Sequence, residues 1–434
     1  MHESLQGELA MNEWNTETLV EYDKKFVWHP FTNMPEWCAE TNEPLVLIEG
    51  KGAVLRDSRG REYIDGNSSI WTNIHGHNHP HINAAVRHQL DRIAHSSFLG
   101  FTNAAAVELA HAIVDLFPPN TLSRVFYSDD GSTGIEVALR MVDQYWRLRN
   151  SRRHQFIAFQ NGYHGDTAGA AALGAASMFQ VGPSRWNFPA IQIPNLKGLE
   201  RLSATDIAKT AAIVIEPLIQ GAAGMKLWPG GTLRAVREWC DRTGTLLIAD
   251  EVMTGFGRTG KMFASEHESV MPDVMVLGKG LTAGYLPLAI TLVTDEIFSR
   301  FDGSVAEGKA LAYGHSYTGN ALACAAAKAN LEVFQNENVL ENLSPKIDQM
   351  NSELGALTGL PGVNEVRQCG FIAGIELKTS ELGLKACRFA AERGLLTRPI
   401  RNVIVLMPPL CIGPAQLTAA INALRDSIVD VVRS

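Results

Sequence analysis

Residues 245–261 read TLLIADEVMTGFGRTGK, and residues 274–279 read VMVLGK. Each stretch opens on a short apolar run and breaks off at a charge: Asp250-Glu251 in the first, Lys279 in the second. Four or five consecutive aliphatic residues are of strand length. Apolar residues on both faces suit a strand covered on both sides, as in a parallel sheet flanked by helices. In an open parallel sheet, ligands collect beyond the carboxyl ends of the strands. The residues just after each run therefore carry the functional reading.

The same pattern repeats outward from this pair. Arg124–Tyr127 (RVFY) precedes Asp130-Gly131-Ser132-Thr133-Gly134, after which Ile135, Ala138, Leu139 and Val142 fall on one face of a helix. Phe156–Phe159 precedes Asn161-Gly162-Tyr163-His164-Gly165, and Ala211–Ile215 (AAIVI) precedes Glu216-Pro217. The ends differ. AVLRDSRGREYID, at 53–65, reads as two short strands around a Ser-Arg-Gly turn. Leu417, Ile421, Leu424, Ile428 and Val432 keep helical spacing near the C-terminus. The expected architecture is α/β: a large domain over 76–335 with a mostly parallel central sheet, and a smaller α+β domain built from 1–75 and 336–434.

Composition narrows the function classes. Of 434 residues, 46% are hydrophobic and 19% charged, an ordinary globular balance. Lys plus Arg total 38 against 46 Asp plus Glu, a net charge of −8 that argues against nucleic acid as a partner. The polar, acidic opening MHESLQGELAMNEWNTETLVEYDKK lacks the pattern of a signal peptide. No apolar run approaches the ~18 residues of a membrane span. The six cysteines, Cys38, Cys240, Cys324, Cys369, Cys387 and Cys411, form no CxxC pair and read as reduced thiols of a cytoplasmic enzyme.

Small residues before a helix let backbone N–H groups approach a phosphate, and Ser132 adds a hydroxyl; a plain capped turn reads the same way. Asp250 and Lys279 could simply form an ion pair. Their other reading is a pyridoxal phosphate site, in which Lys279 condenses with the cofactor's aldehyde and later moves a proton, while Asp250 holds the pyridine nitrogen protonated. Tyr163 could lie against a flat ring. Gly255–Gly260 matches GxGxxG and, with Lys261, nearly a P-loop. Met262 supplies no hydroxyl for a metal, and no clear helix follows, so nucleotide binding is not expected there. His75, His77, His79 and His81 lie in a Gly/Asn/Pro-rich loop without carboxylate or cysteine partners in sequence, and read as polar loop rather than as metal ligands.

Taken together, NGYHGDT (161–167), IVIEP (213–217), LLIADEVMTGFGRTGK (246–261), LGKGLTAGYLP (277–287) and HSYTGNALAC (315–324) resemble the class III, fold-type I pyridoxal-phosphate aminotransferases, over about Trp28 to Pro409. WHPFTNM (28–34), SSIWTNIHGHNHP (68–80) and the TRP…LMPP segment (397–409) resemble the branch that aminates 8-amino-7-oxononanoate to 7,8-diaminononanoate in biotin synthesis. The resemblance implies Lys279, Asp250 and Tyr163 as catalytic residues. Gly131 and Ser132 would hold the phosphate, with Glu216 near the cofactor. His315 and Ser316 would reach the cofactor of a neighbouring subunit, making a homodimer the working unit. Arg398 would bind the acceptor's carboxylate, a bidentate task suited to guanidinium. Phe31, Ile70, Trp71, Tyr163, Asp166, Arg258 and Gly314 would line the substrate site. Members using adenosylmethionine as amino donor often carry Trp-Trp where this chain has Ile70-Trp71, Tyr where it has Phe31, and Pro-Thr where it has His315-Ser316. A lysine-using branch resembles these segments more closely. The resemblance therefore implies adenosylmethionine as donor, with lysine as the alternative.

Overall fold

The computed structural model describes residues 15–174 and 190–433; the opening segment 1–14 lies outside the described residues. Its centre is a seven-stranded sheet of β1 (Leu122–Ser128), β2 (Gln155–Phe159), β3 (Ala190–Ile193), β4 (Thr210–Ile215), β5 (Leu246–Asp250), β6 (Val274–Leu277) and β7 (Ala289–Thr294). The strand order is β1-β7-β6-β5-β4-β2-β3. β7 alone runs antiparallel to its neighbours, and the pairs β5/β6, β5/β4, β2/β4 and β2/β3 are parallel. The runs expected as strands at 124–127, 156–159, 211–215, 245–249 and 274–277 lie in or overlap five of these. Every residue of β4 and β6 is buried, which is why, after Thr210 opens β4, their sequences are continuously apolar.

The glycine-rich turn after β1 opens the helix Gly131–Leu148, where Asp130 caps the Thr133 N–H in a reciprocal capping box. Ile135, Ala138, Leu139 and Val142 are buried on it, packed with Ile248, Val274 and Val276 of the sheet. On the other side, Ile213, Ile215 and Leu247 pack with Leu233, Val236 and Trp239 of the helix Thr232–Thr243. Truncating a fully buried aliphatic residue here, such as Ile248 to Ala, would cost about 2–5 kcal/mol.

Strands from the two chain ends interleave. Leu47–Lys51, Val54–Asp57 and Glu62–Asp65 form an antiparallel set, and Leu395–Leu396 joins it alongside Glu62–Asp65. A second sheet holds Val363–Cys369, Ile372–Leu377, Val403–Leu406 and Pro399–Ile400. The last helix, Pro414–Arg433, buries Leu417, Ile421, Leu424 and Ile428 as expected. Its final apolar contact is Val431 rather than the half-exposed Val432.

Between these sheets and the central one lies a turn of unusual backbone. Ser68, Ser69 and Trp71 have φ of +45°, +60° and +68°. Non-glycine residues held there cost of order 1–3 kcal/mol each and persist only where surrounding contacts over-determine them.

Candidate active site

The carboxyl ends of β1, β2, β4, β5 and β6 open onto one cavity of about 480 Å³. β5 ends on Asp250, paired in register with Val276 of β6, three residues before Lys279. Because β7 is reversed, it feeds the cavity from its beginning: Thr282 and Gly284–Leu288, in the loop joining β6 to β7, are lining residues. Lys279 itself sits at φ +41°.

Of the residues singled out in the sequence, Lys279, Asp250, Tyr163, Gly131, Ser132, Glu216, Phe31, Ile70, Trp71 and Arg398 border this cavity. Asp166 does not, but its carboxylate accepts the Tyr163 hydroxyl at 2.8 Å and its N–H donates to Ser132 Oγ at 3.3 Å. Arg258 is also outside the lining. It is buried in the core, where Nη1 donates to the Pro408 carbonyl at 2.7 Å, and burial draws its guanidinium down to about 10. Gly314, His315 and Ser316 are also outside the lining; Gly314 and Ser316 are exposed, and His315 Nδ1 lies 2.9 Å from Oδ2 of the lining residue Asp129.

The floor of the cavity is a buried charged cluster. His164 Nδ1 hydrogen-bonds Asp250 Oδ2 at 2.7 Å, and Val252 N–H donates to Asp250 Oδ1 at 3.1 Å. Glu216 accepts the Tyr163 N–H at 3.1 Å and the Gly221 N–H at 2.9 Å. Burial pushes the Glu216 carboxyl up to about 7, with Asp250 adding to the rise and His164 opposing it. Burial pulls the His164 imidazole down, but the bond and charge of Asp250, with Glu216, outweigh it and leave it above its ordinary value. Burial lowers the Lys279 amine, partly offset by Asp250 and Glu216. A lysine so placed has a larger share of neutral amine, the form that attacks a carbonyl.

His164 was passed over in the sequence, although it lies inside NGYHG. A buried histidine gives no local signal distinct from a loop histidine. Its partner, Asp250, is 86 residues away. Asp129, Val252 and Met253 also line the cavity unannounced. The four loop histidines resolve differently from a metal cluster. His77 pairs with Asp65 at 2.8 Å, His79 with Glu337 at 3.1 Å and His81 with Glu332 at 2.7 Å, while His75 packs edge-on against Phe334. Among the described residues no group suited to a metal ion is present.

The donor set fits a flat pyridine aldehyde carrying a phosphate. The start of an 18-residue helix and the Ser132 hydroxyl offer an anion cradle. That cradle is tight. A Cβ on Gly131 would come within 2.6 Å of Val252 Cγ1, and one on Gly165, at φ +121°, would collide with Ser132 Oγ. Tyr163 offers a ring, Asp250 a carboxylate and Lys279 an amine within the same enclosure.

Comparison with known proteins agrees. The profile of the family described as Aminotransferase class-III matches residues 38–428. An adenosylmethionine-8-amino-7-oxononanoate aminotransferase of Geobacter sulfurreducens is 42% identical, over 96% of this chain and 99% of the relative. The crystal structure of the protein of that name from Methanocaldococcus jannaschii superposes with a TM-score of 0.92 at 40% identity, covering 95% of this chain and 99% of that one. The omega transaminase of Pseudomonas jessenii in complex with PMP superposes with a TM-score of 0.89 at 26% identity, covering 96% and 98%. With the fold, the strand-end lysine and carboxylate, and the family match over most of its length, this chain belongs to the class III aminotransferases, a family dependent on pyridoxal phosphate.

Proposed function

We propose that this chain moves an amino group onto 8-amino-7-oxononanoate to give 7,8-diaminononanoate, a step of biotin synthesis, with adenosylmethionine as donor. The names of relatives about 40% identical over nearly the whole chain support the reaction. The observation that carries the acceptor is Arg398. It borders the cavity on the side built from the chain ends, and among the described residues its guanidinium has no carboxylate or carbonyl partner. An unpaired guanidinium bordering the cavity suits the far carboxylate of a long keto acid whose reacting carbon must reach Lys279.

Pyridoxal phosphate, when bound, supplies an electron sink that stabilises negative charge at the carbon bearing the amino group. Gly131, Ser132 and the helix start would hold its phosphate, Tyr163 would flank the ring, and Asp250 would face the ring nitrogen. His164 Nδ1 and Val252 N–H hold the Asp250 carboxyl in place from behind. The Lys279 amine, lowered by burial, carries protons between the reacting carbons as general base and acid. The Tyr163 phenol, raised by burial and by its bond to Asp166, stays a hydrogen-bond donor.

A second donor, lysine, is favoured by one feature. Ile70 and Phe31 border the cavity where a flat wall and a phenolic hydroxyl would help hold adenosine. Mixing the yellow holoenzyme with adenosylmethionine or lysine separately, and following loss of the aldehyde-form absorbance, decides the donor. Absence of amino transfer to 8-amino-7-oxononanoate with every donor sinks the reaction.

We propose further that the chain works as a cytoplasmic homodimer in which exposed Gly314 and Ser316, with half-buried His315 between them, complete the partner's site. Exposed Trp28, Leu99, Phe101 and Tyr317 supply apolar surface for such pairing. Among the described residues no helix is long and apolar enough to cross a membrane. The division into 1–75, 76–335 and 336–434 is kept as part of the same proposal, supported by the interleaved end strands.

A further inference from the structure

The Trp71 ring lies close to the reactive amine: Lys279 Nζ is 5.1 Å from its centroid. Its backbone, at φ +68°, gives the ring no ordinary reason to stay there. Two buried residues that do not line the cavity supply one. Asp65, 2% exposed, accepts the N–H of Asn67 at 3.2 Å, the N–H of Ser69 at 2.8 and 2.9 Å, and pairs with His77 Nε2 at 2.8 Å. Its carboxylate therefore gathers up the strained turn from within. Asn67, 4% exposed, turns its amide oxygen to the Trp71 indole N–H at 2.9 Å. An indole nitrogen only donates, so the Asn67 oxygen and not its NH₂ must face it. Ser68 Oγ ties the same turn to the Met407 carbonyl at 2.8 Å, and the Met407 N–H donates to Gly66 O at 2.8 Å.

We propose that Asn67, anchored by Asp65, is a positioning residue that sets the plane of the Trp71 ring against the Lys279 amine and so the approach of substrate to it. The inference rests on the amino-transfer reading and adds a specificity-setting residue to it. Apolar packing and the nearby Lys279 amine contact the ring without direction, whereas a buried side-chain hydrogen bond of this kind fixes one orientation of its plane. The Asp65–His77 pair extends the support into the histidine loop, which gives that loop a use unrelated to metal.

The test uses the full-length holoenzyme and two readouts. In 5-fluorotryptophan-labelled protein, the Trp71 fluorine resonance is identified by its loss in Trp71→Phe. It should move in Asn67→Ala and return in Asn67→Asp, which keeps an acceptor oxygen. In single-turnover transfer to 8-amino-7-oxononanoate, Asn67→Ala should lower kcat/KM about tenfold, the scale of one lost hydrogen bond, with cofactor absorbance unchanged. Adding it to Trp71→Phe should cost nothing more, because both remove one contact. An unmoved resonance, or losses that multiply in the double variant, overturns the proposal. A wild-type enzyme that transfers nothing, with the resonance still moving, overturns the functional reading and leaves the positioning role standing.

Discussion

The floor and the wall of the cavity are built on opposite principles. The floor, Asp250, Lys279, Glu216 and His164, stands at or just beyond the ends of mostly buried central strands. It is charged, enclosed and bound by short hydrogen bonds. The wall, Phe31, Ile70, Trp71 and Arg398, comes from both chain ends, is more open to solvent, and hangs on left-handed backbone at Phe31 and Trp71. The floor can be rigid because the chemistry it serves is shared by every substrate. On the proposed reaction two different molecules would meet the wall in turn and require it to be adjustable, and strained turns are where small substitutions change shape at least cost to the core.

Breaking the floor should therefore abolish reaction with any substrate. Lys279→Ala should leave circular dichroism unchanged and lower both half-reactions by at least about 10³-fold, the scale of a lost general base, read by stopped-flow absorbance. Asp250→Asn should slow both half-reactions by about 10²–10³-fold, the scale of one lost electrostatic partner. Normal rates would mean that the pyridine nitrogen has another partner. Breaking the wall should separate the substrates. Arg398→Ala should cut acceptor kcat/KM about 10–100-fold, as expected for a charged hydrogen bond, and leave an adenosylmethionine half-reaction within a few-fold. Equal losses in both would erase the contrast.

The smallest effect tests the floor's burial. The folded Glu216 carboxyl, held at about 7, lies above its ordinary 4.5. The folded state thus binds the extra proton. The stability this contributes is complete below about pH 4.5 and lost as pH rises through about 7. Glu216→Gln should flatten the fall of Tm across that window by roughly 2 °C or more. An unchanged slope would place the shift elsewhere.

Much of the floor was legible in the amino acids because a charge that ends an apolar strand is a local anomaly. Asp250, Lys279 and Glu216 declare themselves within a few residues. β7 was missed although AITLVT is as apolar as its neighbours, because the turn before it carries Lys279 and no hairpin glycine pair marks its reversal. His164 was missed because its meaning lies in a bond across the sheet. The wall was the least legible part. Ser68, Ser69 and Trp71 adopt conformations usually signalled by glycine, and what holds them there is Asp65, whose grip on the turn is invisible to any spacing rule. Resemblance named Trp71 and Ile70, but not Asn67, whose oxygen accepts the Trp71 indole N–H.

The reversed seventh strand has a mechanical consequence. Because β6 and β7 are adjacent and antiparallel, the segment 278–288 that bears Lys279 leaves the sheet and returns to it side by side. It is a bracket fastened at both feet rather than an arm free at one. Such a bracket limits the sweep of the amine to its own side-chain torsions. On the proposed reaction a proton would then be shuttled without any opening of the protein, and two unlike partners would be served in turn without loss of aim.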